Sequence, residues 1–379
     1  MRLLLYLFII FFISCNSSSN KQSQQKQMSN LPVQKDFRQT IDGKKTDLFY
    51  LKNNDIQVAI TNYGGRIVGC WLPDKNGKVT DVVAGFNTLN DYINSKEPYY
   101  GALIGRYGNR IRNAQFTLDD TVYKVTANIP PHILHGGKKG FQYVVWDAKQ
   151  LSDSTLLLHY LSKDGEEGFP GNLDVKVVYS LSINHELRIE YTAISDKKTV
   201  INLTAHPFFN LNGEGSGTIN NHLLTVMADN YNPVDSFVIA NGKIEPVENT
   251  PFDFRKATAI GARVNDKNEQ LAFGKGYDHN FVLNKGITAQ PALAAIVEGD
   301  LSGINMQVLT TEPGLQFYGG NFMKGEQTFK SGVKDDFRTT FCLETQHFPD
   351  SPNNPQFPTT VLKPGETYHQ KTIYKFIIK

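Results

Sequence analysis

The chain of 379 residues carries 39 Lys or Arg against 37 Asp or Glu, a formal net charge of +2, which argues against a surface built for nucleic acid or anionic membrane. With 40% hydrophobic and 11% aromatic residues it can fill a large core, so neither wholesale disorder nor a many-spanned membrane protein fits. Three cysteines are too few for a disulfide scaffold, and without Cys-x-x-Cys or His-Glu-x-x-His there is no metal motif.

Met1-Arg2 leads into the unbroken apolar run Leu3 to Ile13, followed by Ser14-Cys15. A run of about eleven apolar residues suits a secretory signal better than a spanning helix of about twenty. A small residue before a cysteine at the end of such a run resembles the lipobox of bacterial lipoproteins, although Phe12 stands where such a box prefers Leu. The expectation is a signal peptide over 1–14, lipidation of Cys15 and a flexible tether over 15–35, since the tract from Asn16 to Asn30 has almost nothing to bury. That places the protein in the cell envelope, lipid-anchored and facing the periplasm or the exterior.

From about Asp36 onward the pattern has period two. Ile56, Val58 and Ile60 alternate with Gln57, Ala59 and Thr61, and Leu187, Ile189, Tyr191 and Ala193 alternate with Arg188, Glu190 and Thr192, as half-buried strands require. Asp42-Gly43, Asn53-Asn54-Asp55, Asn76-Gly77, Asp164-Gly165 and Asn241-Gly242 supply turn chemistry between such runs. Helical segments are few and short: Thr88 to Asn94, and a turn around Lys256 to Arg263. Cys70 and Cys342 sit among strand formers and read as two buried thiols; a disulfide between them is possible but not indicated. With no interior linker or repeat, residues 36–379 read as one large all-β domain of stacked antiparallel sheets, against the length prior for two.

Sequence-local chemistry is scarce. His135 follows Pro130-Pro131-His132-Ile133-Leu134 and precedes Gly136-Gly137, where prolines stiffen the approach and glycines allow close backbone contact with a ligand. His206 precedes Pro207, which biases its backbone to the extended region and holds it out from a strand end. Taken singly, each histidine is more often structural. Gly213-Glu214-Gly215-Ser216-Gly217 lacks the spacing of a dinucleotide turn and reads as a loop. Alternation puts Asp278 and Asn280 on one strand face, and Glu344 with Cys342 and Gln346 on another. A carboxylate in so apolar a strand is either solvent-facing, the commoner case, or kept in a cleft.

Taken together, six blocks resemble the aldose 1-epimerases, or galactose mutarotases, from about Phe37 to Lys379: Gly105-Arg106-Tyr107-Gly108-Asn109-Arg110-Ile111, Leu134-His135-Gly136-Gly137, Asn202-Leu203-Thr204-Ala205-His206, Tyr277-Asp278-His279-Asn280-Phe281, Gln316-Phe317-Tyr318 and Leu343-Glu344-Thr345-Gln346. The resemblance implies a large antiparallel β-sandwich of the galactose mutarotase type that interconverts the anomers of a free hexose such as glucose or galactose, without cofactor or metal. It implies Glu344 as the general base at the anomeric hydroxyl and His206 as the general acid at the ring oxygen. Asn109, Arg110, His135, Asp278 and Gln316 would bind sugar hydroxyls, with His135 also near the ring oxygen. Phe208, Phe252 and Tyr318 are aromatic candidates for the apolar sugar face.

Ring opening removes one proton and delivers another, and a positioned base and acid contribute about 10²- to 10⁴-fold in such steps. Ordinary values of about 4.3 for Glu and 6.5 for His leave a window with one ionised and the other protonated, which predicts an acid limb belonging to Glu344. Pro207 and Phe208 depart from relatives that carry a small or polar residue and then Tyr, which removes a hydroxyl contact. Whether Glu312 or the nearby Gln316 reaches the sugar is open from sequence. The competing readings are a hexose-phosphate epimerase, which needs more basic residues, a glycoside hydrolase, which needs two carboxylates across the scissile bond, and a non-catalytic sugar-binding lipoprotein.

Overall fold

A computed structural model describes residues 31–378. The expected signal peptide, Cys15 and the tether up to residue 30 lie outside the described residues.

The largest element is a nine-stranded antiparallel sheet with Leu173–Leu181, Glu186–Ser195 and Thr367–Ile378 as adjacent strands. In Glu186–Ser195 the expected alternation holds: Leu187, Ile189, Tyr191 and Ala193 are buried, while Arg188 is exposed and Glu190 and Thr192 are half-buried. One face of this sheet meets the core and the other meets water. The buried face packs against a four-stranded sheet, Leu48–Lys52, Gln57–Thr61, Arg66–Pro73 and Val79–Asp81, and against a five-stranded sheet.

Tyr179 ties the layers by donating to the Gly65 carbonyl at 2.8 Å, and Tyr374 by donating to that of Leu343 at 3.1 Å. Each Leu, Ile or Val sealed between them contributes about 1.5–3 kcal/mol. The architecture is the expected all-β sandwich.

Gln57–Thr61 departs from its expected pattern, because Ala59 and Thr61 are buried as well as Val58 and Ile60. Its second face is covered by a separate cluster that includes Phe37, Phe86, Tyr100 and Phe329. Period-two reading assumes that one face meets water, and distant segments of the chain supply this cover.

Asp42-Gly43 turns between Thr40–Ile41 and Lys44–Lys45 with φ of 50° and 76°, the left-handed pair that a two-residue hairpin demands. The helix expected after Thr88 spans Leu89–Ile93, with the Thr88 hydroxyl accepting from the Asp91 N–H. In the Lys256 to Arg263 region the two-residue strand Thr258–Ala259 is followed by the 3-10 turn Ile260–Ala262. A second helix, Glu269–Gly274, is too short to leave a periodic signature. Cys70 and Cys342 are free and buried in different clusters.

The loop Gly213 to Gly217 contributes Glu214 to a buried ion cluster. Lys330 Nζ lies 2.7 Å from Glu214 and 3.4 Å from Asp81, and donates to the carbonyls of Val68 and Val83, both at 2.8 Å. Lys330→Ala leaves two buried carboxylates without their cation, and a loss of about 3–5 kcal/mol is expected. Urea unfolding checks it, as a lower midpoint at unchanged slope.

Candidate active site

The five-stranded sheet carries the polar half of the site. Its register pairs Asp278 with Tyr318, Asn280 with Gln316 and Gln316 with Glu344, so Asp278, Gln316, Tyr318, Glu344 and Gln346 share one face. Phe281, Leu315, Phe317 and Leu343 alternate to the other face and join the main core, which anchors the strands. Glu344 is 2% exposed and Asp278 7%. The solvent-facing alternative is therefore excluded, and both carboxylates are held inside the fold.

The other half comes from strand ends. His206 follows the two-residue strand Thr204–Ala205, which pairs with Leu103–Ile104, and its N–H donates to the Ala102 carbonyl at 2.9 Å. Arg110–Ile111 pairs with Ile133–Leu134, bringing Arg110 and the adjoining His135 to one place. Asn109 and His135 adopt φ of 66° and 51°, a region that non-glycine residues hold only when their surroundings over-determine it. Here the constraint is reciprocal: the His135 N–H donates to the Asn109 carbonyl at 3.0 Å, and the Asn109 N–H donates to His135 Nδ1 at 3.1 Å.

A cleft of about 230 Å³ is lined by Asn109, Arg110, His135, His206, Asp278, Gln316 and Glu344, together with Glu97, Tyr99, Leu134, Tyr318 and Phe322. A larger open hollow of about 640 Å³, bounded by Arg38, Lys45, Asp47 and Trp146, holds none of these residues.

His206 Nε2 stands 3.4 Å from Glu344 Oε1, longer than a good N–H···O bond. Glu344 Oε2 and His206 Nδ1 are buried without a partner among the described residues. Burial pushes the Glu344 carboxyl well above the usual range; Asp278 and Glu97 add to this and Arg110 opposes it. Burial lowers His206 to about 3. Both directions favour a neutral pair holding one proton, on Glu344 rather than on His206. This differs from the expectation of an ionised Glu344 beside a protonated imidazole, which used values for groups in water.

His135 is kept neutral, first by burial and then by His206 and Arg110. Because its Nδ1 accepts from Asn109, its ring proton sits on Nε2, so this histidine is a hydrogen-bond donor rather than a base. The same tautomer decides the question of a metal. His135, His206 and Glu344 bring ligand atoms within 4.8 Å of one another, but His135 Nε2 carries a proton while Asn109 occupies Nδ1. The trio then offers two ligands, fewer than the three or four of a zinc site.

Asp278 is tied down by Gln316 Nε2, which donates to Oδ1 at 2.7 Å, and by the Arg110 guanidinium, 3.9 Å from Oδ2. Gln346 joins the two halves, donating to Asn280 Oδ1 at 3.1 Å and Gln316 Oε1 at 3.4 Å and accepting from Asn109 Nδ2 at 3.4 Å. Such forked donors and acceptors match the hydroxyls of a sugar.

The His206 ring lies near-parallel to Phe208 at 4.9 Å and to Tyr99 at 5.8 Å, which fixes its plane. Of the three aromatic candidates, Tyr318 lines the cleft and Phe208 backs His206. Phe252 instead stacks on Tyr231 at 4.6 Å within the main core, so it is not part of the site. Glu97, Tyr99 and Phe322 carried no sequence signal, since they come from irregular segments. Glu312 precedes the strand Gly314–Tyr318 and pairs with His347 at 2.5 Å beside a different cavity; Gln316 is the residue in the cleft.

The chain matches the family model of aldose 1-epimerase over residues 47–375. It is 42% identical to the galactose mutarotase of Rattus norvegicus over 336 residues, 89% of this chain and 95% of that protein. It is 35% identical to the aldose 1-epimerase of Escherichia coli over 339 residues, 89% and 96% of the two chains. Among solved structures, an aldose epimerase homologue from C. elegans has a TM-score of 0.81 at 27% identity, covering 88% of this chain and 100% of that one. A galactose 1-epimerase from Lactobacillus acidophilus has a TM-score of 0.78 at 25% identity, covering 91% and 97%.

Proposed function

The chain belongs to the aldose 1-epimerase family of isomerases, which interconvert sugar anomers, and from that premise we propose that its substrate is a free hexose of the galactose or glucose type, with Glu344 and His206 as the acid-base pair. The observation that carries this reading is the buried Glu344–His206 contact at 3.4 Å, beside an Arg110–Asp278–Gln316 cluster suited to hydroxyls.

Binding draws the shared proton onto His206, because the sugar O1–H donates to the Glu344 carboxylate while O5 accepts from the imidazolium. Glu344 then removes the O1 proton as His206 protonates O5, and the C1–O5 bond breaks to leave an aldehyde. The pair still holds one proton, now on Glu344. After rotation about C1–C2, O5 attacks the other face of the carbonyl. His206 takes the O5 proton and Glu344 returns one to O1, giving the opposite anomer. His135 Nε2–H donates to a sugar oxygen near the ring oxygen, and Asn109, Arg110, Asp278 and Gln316 hold the remaining hydroxyls. A phosphorylated hexose fits poorly, since among the described residues Arg110 is the single Lys or Arg lining the cleft, against Glu97, Asp278 and Glu344.

Polarimetry of freshly dissolved α-D-galactose and α-D-glucose tests the assignment, and failure of a folded protein to accelerate either sugar overturns it. The pH profile carries a sharper prediction. Activity needs one proton on the pair, so the rate falls at low pH as His206 gains a second proton. It falls at high pH as the shared proton is lost. With His206 lowered and Glu344 raised, the acid limb lies below the ordinary imidazole value and the alkaline limb above the ordinary carboxylate value. A single limb near 4.3 with no alkaline fall contradicts the shared-proton pair.

From Leu3 to Ile13 and Ser14-Cys15 we also infer an exported, lipid-anchored protein that equilibrates anomers at the cell envelope. Cys15→Ser is expected to move it from the membrane fraction to a soluble one. A parent protein found only in the cytosol overturns the inference.

A further inference from the structure

Glu97 is the third carboxylate of the cleft, after Asp278 and Glu344, and its neighbours place it at the reacting end. It precedes Pro98 and Tyr99. The Tyr99 N–H donates to Glu97 Oε1 at 3.1 Å, which pins the carboxylate two residues from a ring lying near-parallel to His206 at 5.8 Å and edge-on to His135 at 4.6 Å.

Asp278 differs, since both its oxygens face protein partners, Gln316 and Arg110. Among the described residues, Glu97 Oε2 has no hydrogen-bond partner and no ion pair. Burial pushes the carboxyl up to about 7 against the pull of the Tyr99 N–H and Arg66, and its charge raises Glu344 in turn. A partly desolvated acceptor is costly until a donor reaches it. A hexose bound with C1 and O5 at the Glu344–His206 pair carries such donors on both flanks, the C2 hydroxyl and the hydroxymethyl on C5.

We propose that Glu97 is a substrate-binding residue that accepts a hydrogen bond from the sugar hydroxyl flanking the reacting C1–O5 bond, at C2 or on the C5 hydroxymethyl, and thereby sets which aldoses are turned over. This rests on the reading of the cleft as an aldose site.

The test compares kcat/KM for D-galactose, 2-deoxy-D-galactose and 6-deoxy-D-galactose with the parent, Glu97→Ala and Glu97→Gln. Comparing enzymes on the same sugars cancels differences in intrinsic reactivity. Assayed above pH 7, where Glu97 is ionised, one deoxy sugar is expected to fall about ten- to hundredfold below galactose with the parent, the loss of one hydrogen bond to a charged acceptor, and Glu97→Ala closes that gap to about threefold or less. The gap for the other deoxy sugar stays as in the parent. Glu97→Gln keeps an oxygen for the Tyr99 N–H, so it is expected to retain the parent's Tm while narrowing the same gap. Equal gaps in parent and both variants for both sugars overturn the Glu97 contact and leave the aldose assignment standing. A folded parent that accelerates no sugar overturns that assignment and the proposal with it.

Discussion

Glu344→Gln is expected to lower kcat for galactose mutarotation by about 10²- to 10⁴-fold with little change in KM. The amide keeps the shape of a protonated carboxyl and can still hydrogen-bond O1, but it cannot take the proton. The side chain is 2% exposed, so water cannot easily substitute as base. The fold should not suffer, because burial already favours the neutral carboxyl and an amide has no charge to desolvate. Polarimetric kcat and KM, with Tm measured alongside, check both halves. A variant retaining parental kcat removes Glu344 from the chemistry.

His206→Asn is expected to cost a similar factor, about 10²- to 10⁴-fold in kcat, because O5 leaves without a proton donor. The imidazole also fills the gap between Tyr99 and Phe208, so this variant, unlike Glu344→Gln, should also lose stability. The decisive measurement is the double variant. In the proposed cycle Glu344 and His206 hand one proton back and forth, so removing either ends it, and Glu344→Gln with His206→Asn should be hardly slower than the worse single variant. Fully multiplicative losses would mean that the two residues act independently.

The parts of this protein legible in its sequence were those whose physics is local. Strand Glu186–Ser195 declared itself because its side chains alternate across a sheet with one face in water, and Asp42-Gly43 marked a hairpin because few residue pairs accept its backbone angles. Six short blocks carried the family resemblance, which the match over residues 47–375 extends to most of the chain. Their residues Asn109, Arg110, His135, His206, Asp278, Gln316 and Glu344 all line one cleft.

Tertiary structure alone decided the rest. Whether Asp278 and Glu344 faced water or a cleft depended on what covers the five-stranded sheet. Phe252, an aromatic candidate, proved to belong to the main core, while Glu97, Tyr99 and Phe322 entered the cleft from irregular segments that leave no period to read. The tautomer of His135 follows from one backbone N–H at Asn109. The raised proton affinity of Glu344 and the lowered one of His206 follow from desolvation by residues brought together from across the chain. Alternation and turn chemistry are written into neighbouring residues, so sequence determined the sandwich. Burial and proton affinity are properties of an assembled environment, and they exist only once the sheets have closed on one another.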